Sequence, residues 1–132
     1  MAQGLSVALP LRIDETDGAY GLNKDIMSMA EQNIKMVILT SPGERMMIPD
    51  FGVGIRRYLF EQNTSSVAAT LKERIQNQIN KYVPYVNLKD VQVLSPSTIS
   101  GETDKTALLV SIKYSVPAIS VSDIFLTIPV RA

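Results

Sequence analysis

An α+β fold in one domain is what the chain predicts, on three observations. Two stretches repeat apolar residues at helical spacing. The last third alternates apolar and polar residues with period two, and the breaks between segments are short and carry Pro and Gly. The expected architecture is two long helices and a short one packed on a small, mainly antiparallel sheet with N- and C-terminal edge strands, all within a single domain over 1–132.

Each element follows from local pattern. Leu5, Val7, Leu9, Leu11 and Ile13 alternate with Ser6, Ala8, Pro10 and Arg12, which predicts a strand with one buried face. Pro10 has no N–H for a ladder, so that strand belongs at a sheet edge or outside the sheet. Asp14 to Gly18 reads as a solvated turn, because its acids lack the spacing of a calcium loop. A helix is expected from about Asn23, placed to cap its first turn, to Leu39. Ile26, Met27, Ala30, Ile34, Val37 and Ile38 form its apolar stripe, and Leu22, Met29 and Met36 widen it. The apolar arc reaches about 200°, against about 100° for an ordinary surface helix. Such a helix needs covering on two sides, either within its own domain or by a partner against the Met29–Met36 flank.

After breaks at Pro42-Gly43, Pro49 and Gly52, a short amphipathic stretch runs from about Val53 to Phe60. The capping residues Asn63 to Ser66 open a second long helix that ends near Tyr82. Its stripe of Val67, Ala68, Leu71, Ile75, Ile79 and Tyr82 suits a helix lying on a sheet, with Lys72, Glu73, Arg74, Gln76 and Asn77 facing elsewhere. Three strands should follow. Val86, Leu88, Val91 and Val93 form the first, with an irregularity near Asp90. Leu108 to Val116 alternates without a fault, as does Ile124 to Val130, where Pro129 again argues for an edge. Ser95–Lys105 and Pro117–Ser122 read as turn-rich connections.

Composition removes whole classes of chemistry. The 132 residues contain no cysteine and no histidine, which excludes disulfides, thiolate nucleophiles, zinc–thiolate sites and His-dependent catalysis. Thirteen basic and 13 acidic side chains give a formal net charge of zero, so the basic field used to bind nucleic acid is missing. With 45% hydrophobic residues a packed core is expected, and near-zero net charge favours association. No segment approaches the roughly 18 apolar residues of a membrane span. Met1–Leu11 lacks a basic leader region, so synthesis in the cytoplasm is the expectation.

The segment from Thr40 to Glu61 is the informative one. It sets a turn, the adjacent pair Glu44 and Arg45, then Pro49 and an aromatic–glycine step at Phe51-Gly52. Glycines allow close backbone approach, and an arginine can hold a carboxylate or carbonyls through several donors. In the plain structural reading, Glu44 and Arg45 are solvated turn residues while Phe51 and Phe60 plug the core. Gly52-Val-Gly54 lacks the rest of a phosphate-binding loop, and Arg56 and Arg57 suit a solvated helix face.

Gly43-Glu-Arg-Met-Met-Ile-Pro-Asp-Phe-Gly-Val-Gly-Ile55, followed by Leu59-Phe60-Glu61, closely resembles the baseplate wedge, or sheath-initiator, family of contractile phage tails. The type VI secretion baseplate protein TssE is in the same superfamily, sometimes called lysozyme-like. The resemblance covers most of the chain, and the loop is its specific part. It implies a structural role in the virion tail baseplate, with larger baseplate wedge subunits, the tail sheath protein and the tail tube or hub as partners, and with no nucleic acid, membrane, small-molecule substrate, cofactor or metal. Edge strands would complete a sheet with extensions of the first sheath ring, and the first helix would join a helical bundle with wedge subunits. In the family this loop often carries an acid-proline-arginine triplet that contacts wedge partners; here Glu44 and Arg45 are adjacent, between Pro42 and Pro49. The resemblance thus gives Met29, Met36, Glu44, Arg45, Pro49, Phe51, Gly52, Ile124, Leu126, Ile128 and Val130 as the expected partner interface. A secretion-system or tailocin baseplate component is the nearest alternative, and a peptidoglycan hydrolase the alternative of another class.

The hydrolase alternative makes physical demands. Glycoside hydrolysis needs two carboxyls roughly 5 to 9.5 Å apart, one of them kept protonated in an apolar cleft. Glu44, Asp50 and Glu61 are the candidates, but Arg45 beside Glu44 favours the ionised form. There is no tryptophan and only 6% aromatic residues to line a sugar groove, so no enzymatic activity is expected.

Overall fold

The computed structural model describes residues 4–61, 65–94 and 108–130. Strand β1 (Ser6–Val7) pairs antiparallel with β2 (Leu22–Asn23), Ser6 lying opposite Asn23. Helix α1 spans Ile26–Leu39, a short α2 Ile55–Tyr58, and α3 Ser65–Tyr82. Strands β3 (Asn87–Leu94), β4 (Leu108–Val116) and β5 (Val121–Val130) form an antiparallel sheet in the order β3-β4-β5. A 3-10 turn at Pro117–Ile119 joins β4 to β5. This is the α+β arrangement the patterns call for. The Ser95–Lys105 connection and the first two residues of the capping cluster, Asn63 and Thr64, lie outside the described residues.

The core forms between the two long helices and one face of the sheet. Ile34, Val37 and Ile38 of α1 meet Leu71, Ile75 and Ile79 of α3, over Val91 of β3, Val110, Ile112 and Tyr114 of β4, and Leu126, Ile128 and Val130 of β5. Each such side chain contributes about 1.5–3 kcal/mol through burial. Burial also holds the Tyr114 hydroxyl above the ordinary phenol pKa. Among the described residues no polar or charged residue is buried.

Both sheet pairings carry an extra residue. Leu88 faces Tyr114 and Asp90 faces Lys113, which leaves Lys89 unmatched and gives the expected irregularity beside Asp90. On the other side Tyr114 faces Ile124 and Val116 faces Val121; the bulge falls where Asp123 adopts a left-handed φ of 61°. The Asp123 carboxylate accepts from Lys89 Nζ at 2.8 Å and pairs with Lys113 Nζ at 3.4 Å.

Three expectations are corrected. The strand drawn over Leu5–Ile13 is β structure at two residues only, stands apart from the main sheet, and leaves its apolar side exposed. Its partner β2 is equally short, and Pro10 has no N–H for a longer ladder. In place of a strand, the Gln32 side chain of α1 serves this arm: Nε2 donates to the Val7 carbonyl and Oε1 accepts from the Leu9 N–H, both at 3.0 Å. Asn23 does not cap α1. It lies in β2, where its Nδ2 donates to Gln32 Oε1 at 2.8 Å, and Asp25 occupies the cap position without a side-chain cap bond. Finally Arg74, expected to face away, turns toward the loop after α1, its Nη2 3.5 Å from the Gly52 carbonyl.

Candidate functional site

The site is the loop between α1 and α2, and its shape can be built bond by bond. Thr40 stops α1 by folding back, its Oγ1 and its N–H both donating to the Met36 carbonyl at 2.6 and 3.0 Å. Ser41 and Glu44 then close a turn reciprocally: the Ser41 N–H donates to Glu44 Oε2 and the Glu44 N–H to the Ser41 carbonyl, each at 3.1 Å. Gly43, with φ of 94°, donates its N–H to the Pro49 carbonyl at 2.9 Å, which pinches the base of the projection. The return strand is fastened to α1 through Val53 N–H to the Val37 carbonyl and Gly54 N–H to the Thr40 carbonyl, both 2.9 Å.

Gly52 is required where it stands. Its φ is 105°, and a Cβ there would run into the Thr40 carbonyl, which is backbone and cannot swing aside. From below, Gln78 of α3 holds the same turn: its Nε2 donates to the Asp50 carbonyl and its Oε1 accepts from the Gly52 N–H, each at 3.1 Å. Phe51, between those two residues, is buried edge-on against Tyr82 with ring centroids 4.8 Å apart. The Arg45 guanidinium lies over the Phe51 ring, 4.5 Å from its centroid, so a cation is presented on an anchored aromatic.

The expected interface residues fall into two groups. Glu44, Arg45 and Pro49 are exposed on the projection, Met36 is exposed on α1 and Met29 is half-buried. Phe51, Gly52, Leu126, Ile128 and Val130 are buried and Ile124 half-buried, so their side chains serve the core and only their backbone or their neighbours can face a partner. Phe51 plugs the core as expected. Phe60 does not: it is 83% exposed, beyond the last turn of α2.

The sequence reading passed over the most exposed apolar residues in the described chain. Met46 and Met47 are each 94% exposed at the tip of the projection. Two consecutive methionines between Gly43 and Pro49, in a segment with no helical or strand period, were the signal available. Beside the loop, a groove of about 560 Å³ runs between the arm and α1, lined by Leu9, Pro10, Met36, Leu39, Glu44 and Arg56 among others.

The acid candidates for hydrolysis are all at the surface. Glu44, Asp50 and Glu61 are exposed, and Glu44 is committed to its turn. No group of three metal-ligating side chains occurs among the described residues. None of their helices is long and apolar enough to cross a membrane.

The molecule is thus a small α+β module with an exposed, internally braced loop after α1 and β5 as the last strand of its described sheet. Residues 28–120 match the family described as baseplate wedge protein gp25, and the chain belongs to that family. It is 30% identical over 99 residues to the baseplate wedge protein gp25 of Enterobacteria phage T4, a stretch covering 71% of this chain and 70% of that one. Among solved structures, it superposes on a chain of the anti-feeding prophage baseplate with a TM-score of 0.69 and 25% identity, over 83% of this chain and 82% of the other. A Geobacter sulfurreducens protein solved as a candidate tail lysozyme gives a TM-score of 0.68 at 22% identity, over 84% and 95% of the two chains. A chain of the postcontracted pyocin R2 baseplate gives 0.53 at 15%, over 92% and 98%. The last two likenesses concern the fold. The chain is a baseplate wedge component of the contractile-tail type.

Proposed function

We propose that the chain is a non-enzymatic joint of the baseplate. The Glu44–Gly52 loop and the Met29–Met36 flank of α1 would bind larger wedge subunits, and β5 would receive an extension of the first sheath ring as an added strand. The observation that carries the sheath part is β5 itself. It is ten residues long, bonded to β4 on one side, and at the edge of the sheet on the other. Its inward side chains are locked in the core, so the outer main chain is presented at a fixed height. Pro129 pairs with Leu109 without an N–H to give, which suits a position facing away from β4; Thr127 and Phe125 share that parity. The N-terminal arm lies outside the main sheet, beside α1, so the added strand is assigned to β5 alone.

Removing β5 would destroy the core, so the test is a single edge change. Thr127→Pro takes one outward N–H from β5 while leaving its inward face intact. In co-expression with the other baseplate subunits and the sheath protein of the same tail, this variant should keep its wedge partners and lose the sheath. Retention of the sheath, with circular dichroism unchanged, would remove the strand-addition reading. The non-enzymatic reading is supported by the exposure of Glu44, Asp50 and Glu61, since a general acid at neutral pH needs a shielded carboxyl. Purified chain should release nothing from peptidoglycan, and exchanging these three acids for their amides should change nothing.

A further inference from the structure

We infer that Gln78 is the positioning residue of the projecting loop: by gripping the backbone on either side of Phe51 it sets where Arg45 stands. The inference rests on the reading that this loop docks on a baseplate partner.

The grip has strand-like geometry. In extended chain the carbonyl of one residue and the N–H two residues later point the same way, toward a neighbouring strand. Asp50, at the end of the Ile48–Phe51 turn, and Gly52 present such a carbonyl and N–H on either side of Phe51, and no strand among the described residues pairs with them. The Gln78 amide fills the gap with one donor and one acceptor, each at 3.1 Å, as a single peptide group would. Asparagine carries the same two groups but is a methylene shorter, and a Ser, Thr or Tyr hydroxyl puts donor and acceptor on one atom, where an amide holds them side by side. Gln78 stands on α3 one residue before the fully buried Ile79 and three after the fully buried Ile75, so its backbone is anchored to the core on both sides. The same helix supplies Tyr82 to the edge of Phe51. Gripping Asp50 and Gly52 therefore fixes the ring between them, and Arg45 rests on that ring at 4.5 Å. Arg74, one turn earlier, leans on the Gly52 carbonyl at 3.5 Å, too long to hold the turn by itself. The link runs across 26 residues of sequence, which is why no local motif announces it.

The test uses the full chain and two variants. Gln78→Met keeps length and bulk and removes both bonds; Gln78→Glu keeps the acceptor for Gly52 and loses the donor to Asp50. By amide exchange, the Gly52 N–H should exchange about tenfold faster in Gln78→Met, with the amides of Val91 and Ile112 unchanged. In Gln78→Glu it should stay protected. Co-purification with the other baseplate subunits of its tail should fall severalfold in Gln78→Met and less in Gln78→Glu, a gradation that packing alone would not produce. Unchanged Gly52 exchange in Gln78→Met, or faster exchange with undiminished co-purification, overturns the inference. An Arg45→Ala, Met46→Ala, Met47→Ala triple variant separates the two levels. If it abolishes co-purification while Gln78→Met does not, only the role of Gln78 falls; if it has no effect, the docking reading falls and takes this inference with it.

Discussion

Leu5 to Ile13 and Ile124 to Val130 alternate apolar and polar residues in the same way, and each contains a proline. In β5 the apolar side goes into the core, with Leu126, Ile128 and Val130 only 6, 4 and 2% exposed. In the arm Leu9, Leu11 and Ile13 are 47, 60 and 84% exposed. The difference comes from what lies alongside. β5 has β4 as a hydrogen-bonding neighbour along nearly its whole length and turns its inner side into the shared core, whereas the arm has only the short Gly21–Asn23 stretch and one glutamine. Period-two alternation says which side of a strand must be covered. It does not say by what, and a chain built to work inside an assembly can leave that cover to another subunit.

Truncating one inward residue on each side sharpens this contrast most. Leu126→Ala should cost about 2–4 kcal/mol in urea unfolding, and Leu11→Ala no more than about 0.5 kcal/mol. Equal losses would mean that the arm packs in solution as β5 does. A smaller effect is expected from Gln32→Met, which removes both bonds from α1 to the arm together with the one accepted from Asn23. It should lower stability by about 0.5–1.5 kcal/mol and speed exchange of the Leu9 amide, while the β5 amides keep their protection.

The smallest effect concerns the bulge of β5. The hydrogen bond from Lys89, aided by Lys113 and opposed by some desolvation, holds Asp123 below the usual carboxylate pKa. A pKa lower in the folded than in the unfolded chain stabilises above the unfolded value and loses that contribution as pH falls through the folded one. Wild type should therefore lose stability slightly more than Asp123→Asn below about pH 4, and added salt should shrink the difference, because the group is solvent-exposed. Asparagine tolerates the left-handed backbone at 123, so the two proteins should be alike in fold.

Much of this fold was legible because its signals are local and redundant. Both long helices show a stripe and a boundary, β4 and β5 alternate without fault, and the irregularity near Asp90 shows as the break in step between Leu88 and Val91. The loop was legible as a shape, since Pro42, Gly43, Pro49 and Gly52 punctuate it. Its supports were not, because Gln78 and Tyr82 reach it from a different helix, and Gln78 looks like any other polar residue of that helix. Exposure was the least legible quantity. Phe60 reads as core material and nothing in the pattern sets Met46 apart, and only the course of the backbone puts both in solvent.

The paired methionines at the loop tip carry a chemical consequence. A thioether that protrudes almost completely into water meets oxidants at nearly the rate of the free amino acid, and its sulfoxide is polar. Hydrogen peroxide should add one oxygen to Met46 and Met47 well before Met29, as peptide mass spectrometry would report, while the melting temperature stays put. A preparation can thus spoil at its proposed contact point without any sign of unfolding, and its age would be written on those two sulfurs before anywhere else in the described chain.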